Sequence, residues 1–398
     1  MSPSKAEASS GGPSFLFSWR EYRRFKKLPR ESRAIVFYSE SRQDWHHFEP
    51  VIERLTAGHG RVVCYVTSDA GDPGLTYGDP RLLPFCIRKG LLRTVFFQVV
   101  DADVFVLTMM DLGNLELRRS LHPVHYVYLF HSLGSTHMAD LANSYDNYDT
   151  ILCTGPHQLR EIRRREELAK LPAKRLVEHG YARLEQLLAE RAARPAHEPA
   201  DPPTLLIAPT WGERSLLNVC GERLVEILLA AGYRVILRPH YMTVRTSPEL
   251  VAGIVRRFET HPRFEYIDLM GETESLYRSD LLICDWSAMA IEWGLGLEKP
   301  ALFVDVPARV RNPEWRAFGL EPLEASIRTE IGALLDPARL DEAPGLVDKL
   351  LADPAAFRAK AAELRAHSVF NLGRSAEVAA AEIARLADER ARARKPAP

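Results

Sequence analysis

Short, strongly apolar runs alternate with helix-compatible stretches through most of the chain, and this alternation limits the fold more than any other feature. Runs that are apolar on both faces are typical of parallel strands covered by helices on each side. The strands predicted in the first half are 34–39, 61–68, 94–100, 103–107, 125–130 and 149–155. The first half is therefore predicted to be a doubly wound α/β domain.

Residues 194–203, RPAHEPADPP, interrupt the alternation with proline and polar residues, as a connector would. A second series of strands follows, predicted at 204–210, 233–240, 264–269, 280–286 and 300–306. The chain is therefore predicted to be an α/β protein with two Rossmann-like domains facing a cleft. The predicted division has five parts: a basic N-terminal arm (1–30), a first domain (31–193), a linker (194–203), a second domain (204–372), and a C-terminal helix with its tail (373–398). In such an architecture the last helix can pack back across the first lobe.

Composition and motifs exclude several function classes. A formal net charge of −1 gives no general attraction to nucleic acid. The five cysteines are odd in number and widely spaced, as expected of buried thiols in a reducing cytoplasm. The glycine fingerprints of dinucleotide and P-loop proteins and the H-E-x-x-H zinc motif are all absent from the sequence, so neither a cofactor nor a metal is expected.

The N-terminal region bears on localisation. Apolar runs stay below the roughly 18 residues that span a bilayer, and the first residues lack the apolar core of a signal peptide, so a cytoplasmic protein is expected. Residues 15–30, FLFSWREYRRFKKLPR, interleave aromatic with basic side chains. Two interpretations stay open: a solvated basic arm, or a segment lying on the anionic cytoplasmic face of the inner membrane.

Polar residues at predicted strand ends mark a candidate site, because ligands of open α/β sheets bind beyond the carboxyl ends of strands. In the first half His131 follows such a strand and enters a turn of small residues. It is either a general base facing the cleft or a histidine bonded to loop backbone. In the second half Thr210 and Arg214 follow one strand, and Arg238 and His240 follow the next, which suits a phosphate grip. For Arg238 a structural ion pair is the alternative.

The segment around Asp285 carries the strongest pattern. An apolar strand ends at Asp285, and a helix is predicted to begin at Trp286 or Ser287. Free N–H groups in the first turn of that helix would bind an anion, unless Asp285 and Ser287 serve only as a helix cap. Glu292, about a turn and a half further on, would hydrogen-bond a ribose or face solvent.

The ordered set of these segments resembles the CDP-glycerol glycerophosphotransferase family, which includes teichoic acid polymerases and related capsule enzymes. The resemblance covers roughly 125–304. The matching segments, in the order that the family shows them, are Phe130-His131-Ser132, Tyr148-Asp149, Gly180-Tyr181-Ala182-Arg183, Ala208-Pro209-Thr210, Arg238-Pro239-His240, Ser279-Asp280, Cys284-Asp285-Trp286-Ser287 and Lys299-Pro300. Departures from the family pattern are Ser132 for glycine, Ala182 and Tyr241 for prolines, Trp286 for tyrosine and Ala288 for a second serine.

The resemblance implies a fold of the GT-B type, with an acceptor domain followed by a nucleotide-donor domain. It implies that His131 deprotonates an acceptor hydroxyl, which attacks the β-phosphorus of a CDP-linked alditol and releases CMP. His240 would share the catalysis, and the donor would be held by Thr210, Arg214, Arg238, Ser279, Asp285, Ser287 and Glu292. The family acceptor is a lipid-linked or polymeric glycan. Two alternatives remain: a glycosyltransferase using a nucleotide sugar, and a non-catalytic nucleotide-binding protein of surface-polymer assembly.

Overall fold

Two parallel β-sheets organise the molecule, for which a computed structural model describes residues 15–110, 112–195, 200–268 and 273–394. The first sheet has the order β3-β2-β1-β4-β5-β6-β7 and the second β10-β9-β8-β11-β12-β13. The strands are β1 (Ile35–Ser39), β2 (Val63–Thr67), β3 (Leu82–Cys86), β4 (Val104–Leu107), β5 (His125–Leu129), β6 (Thr150–Cys153), β7 (Arg175–Glu178), β8 (Thr204–Ile207), β9 (Arg234–Leu237), β10 (Phe264–Tyr266), β11 (Leu281–Cys284), β12 (Ala301–Val304) and β13 (Gly332–Leu335). The prediction of two Rossmann-like α/β domains is confirmed.

Helices cover both sheets. They are α1 (Phe15–Lys26), α2 (Trp45–Glu53), α3 (Leu91–Val99), α4 (Pro156–Ala169), α5 (Ala182–Ala193), α6 (Glu222–Ala230), α7 (Tyr241–Thr246), α8 (Pro248–Phe258), α9 (Glu274–Arg278), α10 (Met289–Glu292), α11 (Leu323–Ile327), α12 (Ala343–Leu351), α13 (Pro354–Ser368) and α14 (Ser375–Arg394). Successive strand residues point to opposite faces, so Val36 and Tyr38 pack with α1 and α3 while Ile35 and Phe37 pack with α2. Helices on both faces explain why the strands are apolar throughout.

Two helices cross between the lobes. The apolar side of α5 packs through Leu184 and Leu187 on the second sheet, although α5 follows the last strand of the first. Gly296 permits this approach, because a Cβ there would lie 3.0 Å from Leu184 Cδ1. In the other direction α14 returns to the first sheet, where Ala380 and Ile383 are fully buried. The lobe boundaries given above remain a prediction.

One predicted strand is wrong. Residues 94–100 lie mostly in helix α3, with Phe96 and Phe97 buried against the first sheet while Leu91 is 77% exposed. A short apolar run does not reveal its period, so a buried helix face resembles a buried strand. Strands β3, β7 and β13 were not predicted, since each contains residues that are only partly buried.

Candidate active site

His131 lies in the loop that follows β5, at the carboxyl edge of the first sheet. Its ring is half-buried, and Nδ1 lies 3.4 Å from the Tyr128 hydroxyl oxygen. Burial lowers the pKa of His131 below its usual 6.5, against an opposing effect of Asp44. The imidazole is therefore neutral at pH 7, the form that can accept a proton.

Two further histidines stand beside His131, and sequence reasoning missed both. His46 and His47 lie in the first turn of α2, and the ring centroids of His47 and His131 are 5.8 Å apart. Burial, followed by the charge of Arg183, lowers the pKa of His46 to about 4, and burial also lowers the pKa of His47. The same strand-end argument that singled out His131 would have found them, since α2 begins six residues after β1 ends.

Tyr181 connects the His131 loop to the second lobe. Its hydroxyl lies 3.0 Å from the His131 carbonyl oxygen and 2.6 Å from Glu292 Oε1. Burial raises the pKa of Glu292, which favours the protonated carboxyl. The tyrosine hydroxyl has a single hydrogen, so it donates either to Glu292 Oε1 or to the His131 carbonyl oxygen. The structure thus gives Glu292 a protein partner that neither the ribose nor the solvent interpretation included.

Asp285 is fully buried at the end of β11 and braces the neighbouring loop. One carboxylate oxygen accepts from the backbone N–H of Thr210 at 2.8 Å, and the other accepts from that of Leu216 at 3.0 Å. Both oxygens of its carboxylate are therefore used to fix the loop 210–216. Arg214 lies exposed on the same loop.

Arg238 and His240 follow β9 as predicted, and both are half-buried. The Arg238 guanidinium donates to Ser275 Oγ and contacts Met289 Sδ, each at 3.1 Å. His240 Nδ1 accepts from the backbone N–H of Met242 at 3.1 Å, which caps α7. Burial, followed by the charge of Arg309, lowers the pKa of His240, so the ring is neutral and Nε2 carries the proton. His240 can therefore donate a hydrogen bond to a phosphate oxygen.

The helix after β11 begins later than predicted. Helix α10 starts at Met289 with Ala288 as its N-cap, so the predicted start at Trp286 or Ser287 is wrong. Trp286 donates from its indole N–H to the Val306 carbonyl at 2.7 Å, which ties this turn to the segment after β12. Ser287 is half-buried in this turn, beside the start of the helix.

The two lobes meet where the His131 loop reaches this turn. A Cβ on Gly134 would lie 3.7 Å from Ala288 Cβ and only 2.6 Å from Glu324 Oε1. That oxygen accepts from the Ser135 backbone N–H at 2.8 Å, and Ser135 Oγ in turn accepts from the Leu323 N–H at 2.6 Å. Burial raises the pKa of Glu324 to about 7. These hydrogen bonds hold the loop against the second lobe, and a Cβ at position 134 would displace the Glu324 carboxylate.

Ser279 does not join the other predicted donor residues. It is fully buried at the amino end of β11, the edge of the sheet opposite Ser287, and its carbonyl accepts from Lys299 at 2.7 Å. A groove of about 1020 Å³ lies at that opposite edge, lined in part by Arg194, Tyr277 and Lys299. Its lining includes none of the histidines discussed above, so this groove and the candidate site are separate. The order of residues in the chain could not show which end of a strand Ser279 occupies.

Metal-binding clusters and membrane-spanning helices are both absent from the described residues. Across the described ranges, no cluster of histidine, cysteine, aspartate or glutamate is arranged to hold a metal ion. Within the same ranges, no helix combines the length and apolar character needed to cross a bilayer.

Solved structures of similar fold include epimerases and glycosyltransferases. The UDP-GlcNAc 2-epimerase of Methanocaldococcus jannaschii is 11% identical, with 89% of this chain and 99% of that chain covered at a TM-score of 0.56. The UDP-GlcNAc 2-epimerase of Neisseria meningitidis is 12% identical, with 88% and 99% covered at 0.55. A glycosyltransferase of Rickettsia africae is 11% identical, with 90% and 99% covered at 0.51. At these identities the likeness establishes the GT-B type of fold alone.

Sequence comparison gives a more specific result. No curated protein matches the chain. The model of the family CDP-Glycerol:Poly(glycerophosphate) glycerophosphotransferase matches residues 131–308, which begin at His131 and include the loops after β8, β9 and β11. The resemblance predicted from the ordered motifs is therefore confirmed: the segment from His131 to Ala308 is similar in sequence to this family of glycerophosphotransferases.

Proposed function

We propose that the protein transfers a glycerol-phosphate or related alditol-phosphate unit from a CDP-linked donor to a hydroxyl of a lipid-linked or polymeric surface glycan. The family match supports a transferase of nucleotide-linked substrates. The observation that carries the proposal is the pair of neutral imidazoles, His131 and His240, one at a strand end of each lobe.

In the proposed reaction the acceptor oxygen forms a bond to the β-phosphorus of the donor and its proton passes to His131. The bond from that phosphorus to the bridging oxygen breaks, and CMP leaves with the electron pair. Charge grows on the phosphoryl oxygens during this step, and preorganised donors stabilise such charge best. We assign this stabilisation to Arg238, the Nε2–H of His240 and the turn at Ser287, with Asp285 holding the loop that carries Thr210 and Arg214.

The test is CMP release from CDP-glycerol in the presence of a glycan-lipid acceptor. His131→Ala and His240→Ala are each expected to lower kcat by about 100-fold or more, the usual contribution of a positioned acid or base. His59→Ala is the matched control. His59 is exposed directly after the π-helical turn, Arg54–Gly58, that continues α2. Near wild-type turnover by both cleft variants would remove the catalytic assignment.

A second candidate is glycosyl transfer from a nucleotide sugar. It is favoured by the fold likeness to the glycosyltransferase of Rickettsia africae. The donor distinguishes the two: a phosphodiester product with CMP supports the first, and a glycosidic bond with a nucleoside diphosphate supports the second. Nucleotide binding without either product would support the non-catalytic alternative.

We also propose that the protein works at an anionic membrane surface. Helix α1 buries Phe25 against Phe85 and Phe96 of the first lobe, so one of its faces belongs to the core. Its other face exposes apolar and basic side chains, namely Phe15, Leu16, Trp19, Arg20 and Arg23. A helix of this character lies in the membrane interface and brings the cleft to lipid-linked acceptors.

A further inference from the structure

Arg309 stands out among the arginines near the cleft. It lies in the loop after β12, and its guanidinium carbon lies 4.1 Å from the centre of the Trp211 ring. Arg328 has a comparable position over Trp286, at 3.8 Å, but also pairs with Asp305 at 3.0 Å. Within the residues that the structure describes, Arg309 has no carboxylate partner, and its side chain is exposed. It is an oriented cation whose hydrogen-bonding capacity is unused.

The position of Arg309 places it at the candidate site. Trp211 follows β8 and is stacked against His240 after β9, with ring centroids 6.2 Å apart. Strands β8, β9 and β12 are parallel members of one sheet, so these loops share its carboxyl edge. Two residues beyond Arg309, the backbone N–H of Arg311 donates to the Met138 carbonyl of the first lobe at 3.1 Å. Arg309 therefore lies where the two lobes meet.

The electrostatics of this corner favour an anion. The charge of Arg309 contributes to the lowered pKa of His240. Partial desolvation of the otherwise exposed guanidinium, followed by the charge of Arg311, lowers the pKa of Arg309 itself. Neighbouring cationic groups that repel each other gain most from a bound anion. A guanidinium lying on an aromatic ring keeps its N–H edge free, and that planar edge matches two oxygens of a phosphate.

We propose that Arg309, oriented by Trp211, binds a phosphate ester group of a substrate at the mouth of the cleft. This inference rests on the proposed function, because the two sources of such a phosphate are its two substrates. They are the nucleotide donor and a growing phosphodiester polymer. Arg309 lies one residue beyond the segment that matches the family model, so the family pattern does not assign it.

The test is titration calorimetry of the full chain at low salt with CMP, CDP, inorganic pyrophosphate and a nucleotide-free glycerol-phosphate oligomer. Arg309→Ala is expected to weaken binding about 10-fold, the usual effect of losing one charge-assisted hydrogen bond. The matched control is Arg316→Ala, since Arg316 is also exposed and lies over a tryptophan, Trp315, at 4.7 Å. The control is expected to bind like the wild type.

The pattern of losses identifies the source of the phosphate. Weaker binding of the nucleotides or pyrophosphate assigns Arg309 to the donor, and weaker binding of the oligomer alone assigns it to the acceptor. Unchanged binding of every ligand by Arg309→Ala, or no binding of any by the wild type, overturns the proposal. If Arg309→Ala weakens phosphate binding but the wild type releases no CMP from CDP-glycerol, the proposed function is contradicted and the phosphate site is retained.

Discussion

The Tyr181 hydroxyl lies 2.6 Å from Glu292 Oε1 and 3.0 Å from the carbonyl oxygen of His131. Glu292 belongs to α10 of the second lobe, whereas His131 follows a strand of the first. One phenol therefore links a carboxyl group of one lobe to the loop that carries the proposed base of the other. Glu292 and Tyr181 act through His131 and are positioning residues in this account.

Removing the phenol should misplace His131 without removing a ligand contact. Tyr181→Phe is expected to lower kcat about 10-fold with little change in the KM of the donor, as expected when an aligned group is lost. Glu292→Gln should retain more activity than Glu292→Ala, because the glutamine amide keeps a hydrogen-bonding partner for the tyrosine hydroxyl. Steady-state kinetics with CDP-glycerol measure both. An increase in KM alone would favour the ribose contact predicted from the sequence.

Protonation of His131 should lower the activity at acidic pH. The pKa of His131 lies below 6.5, and only its neutral form can accept a proton. We expect kcat/KM to fall as the pH drops through a midpoint below 6.5 and to show no loss from this group between pH 7 and 8. A pH profile of kcat/KM measures this. A midpoint above 6.5 would contradict the assignment of His131 as the base.

Gly134→Ala should force the buried Glu324 carboxylate away from the Ser135 N–H, because the new Cβ would lie 2.6 Å from Glu324 Oε1. We expect destabilisation of about 1–3 kcal/mol, typical of overpacking a well-packed site. Gly253→Ala in α8 is the control, since nothing lies within 4 Å of a Cβ there. It should be neutral or stabilising, because alanine favours helix more than glycine does. Urea unfolding of both variants tests this, and equal stabilities would refute the close contact.

Glu324 should make stability depend on pH. Its pKa is raised from 4.5 to about 7 in the folded protein, so the folded state holds the proton more tightly than the unfolded chain. The stabilisation is complete below pH 4.5 and is lost as the pH rises to 7, by about 1 kcal/mol per pH unit. In Glu324→Gln this loss should be absent. Unfolding curves at pH 5, 6, 7 and 8 compare the two, and parallel losses would contradict the prediction.

The membrane proposal predicts that exposed residues of α1 control lipid binding. Deleting the whole helix would also remove Phe25 from the core, so point variants are the sharper test. Leu16→Ser combined with Trp19→Ser, at sites that are 74% and 42% exposed, should reduce sedimentation with anionic liposomes several-fold. Leu121→Ser, at another exposed leucine in the first lobe, is the control. Unchanged sedimentation would leave α1 as a solvated arm.

Much of this architecture follows from apolar runs, which predict strands well when both faces are buried, as in β1 and β11. The same apolar signal predicted a strand at 94–100, where the structure has helix α3, because so short a run does not distinguish the period of a helix from that of a strand. Strand ends identified His131 and His240, but the partners of side chains depend on distant segments. Asp285 and Glu292 proved to bond to Thr210 and Tyr181, contacts that spacing along the chain does not encode.

The return of α14 to the first sheet has a consequence during synthesis. One face of that sheet stays open until residues 375–394 are made, because Ala380 and Ile383 of this last helix help to cover it. Chains usually fold from the N-terminus as they emerge from the ribosome. Here the first lobe must wait, with apolar surface uncovered, until α14, which follows the strands of the second lobe in the chain, has been translated. The first lobe is therefore completed only after the strands of the second lobe have been synthesised.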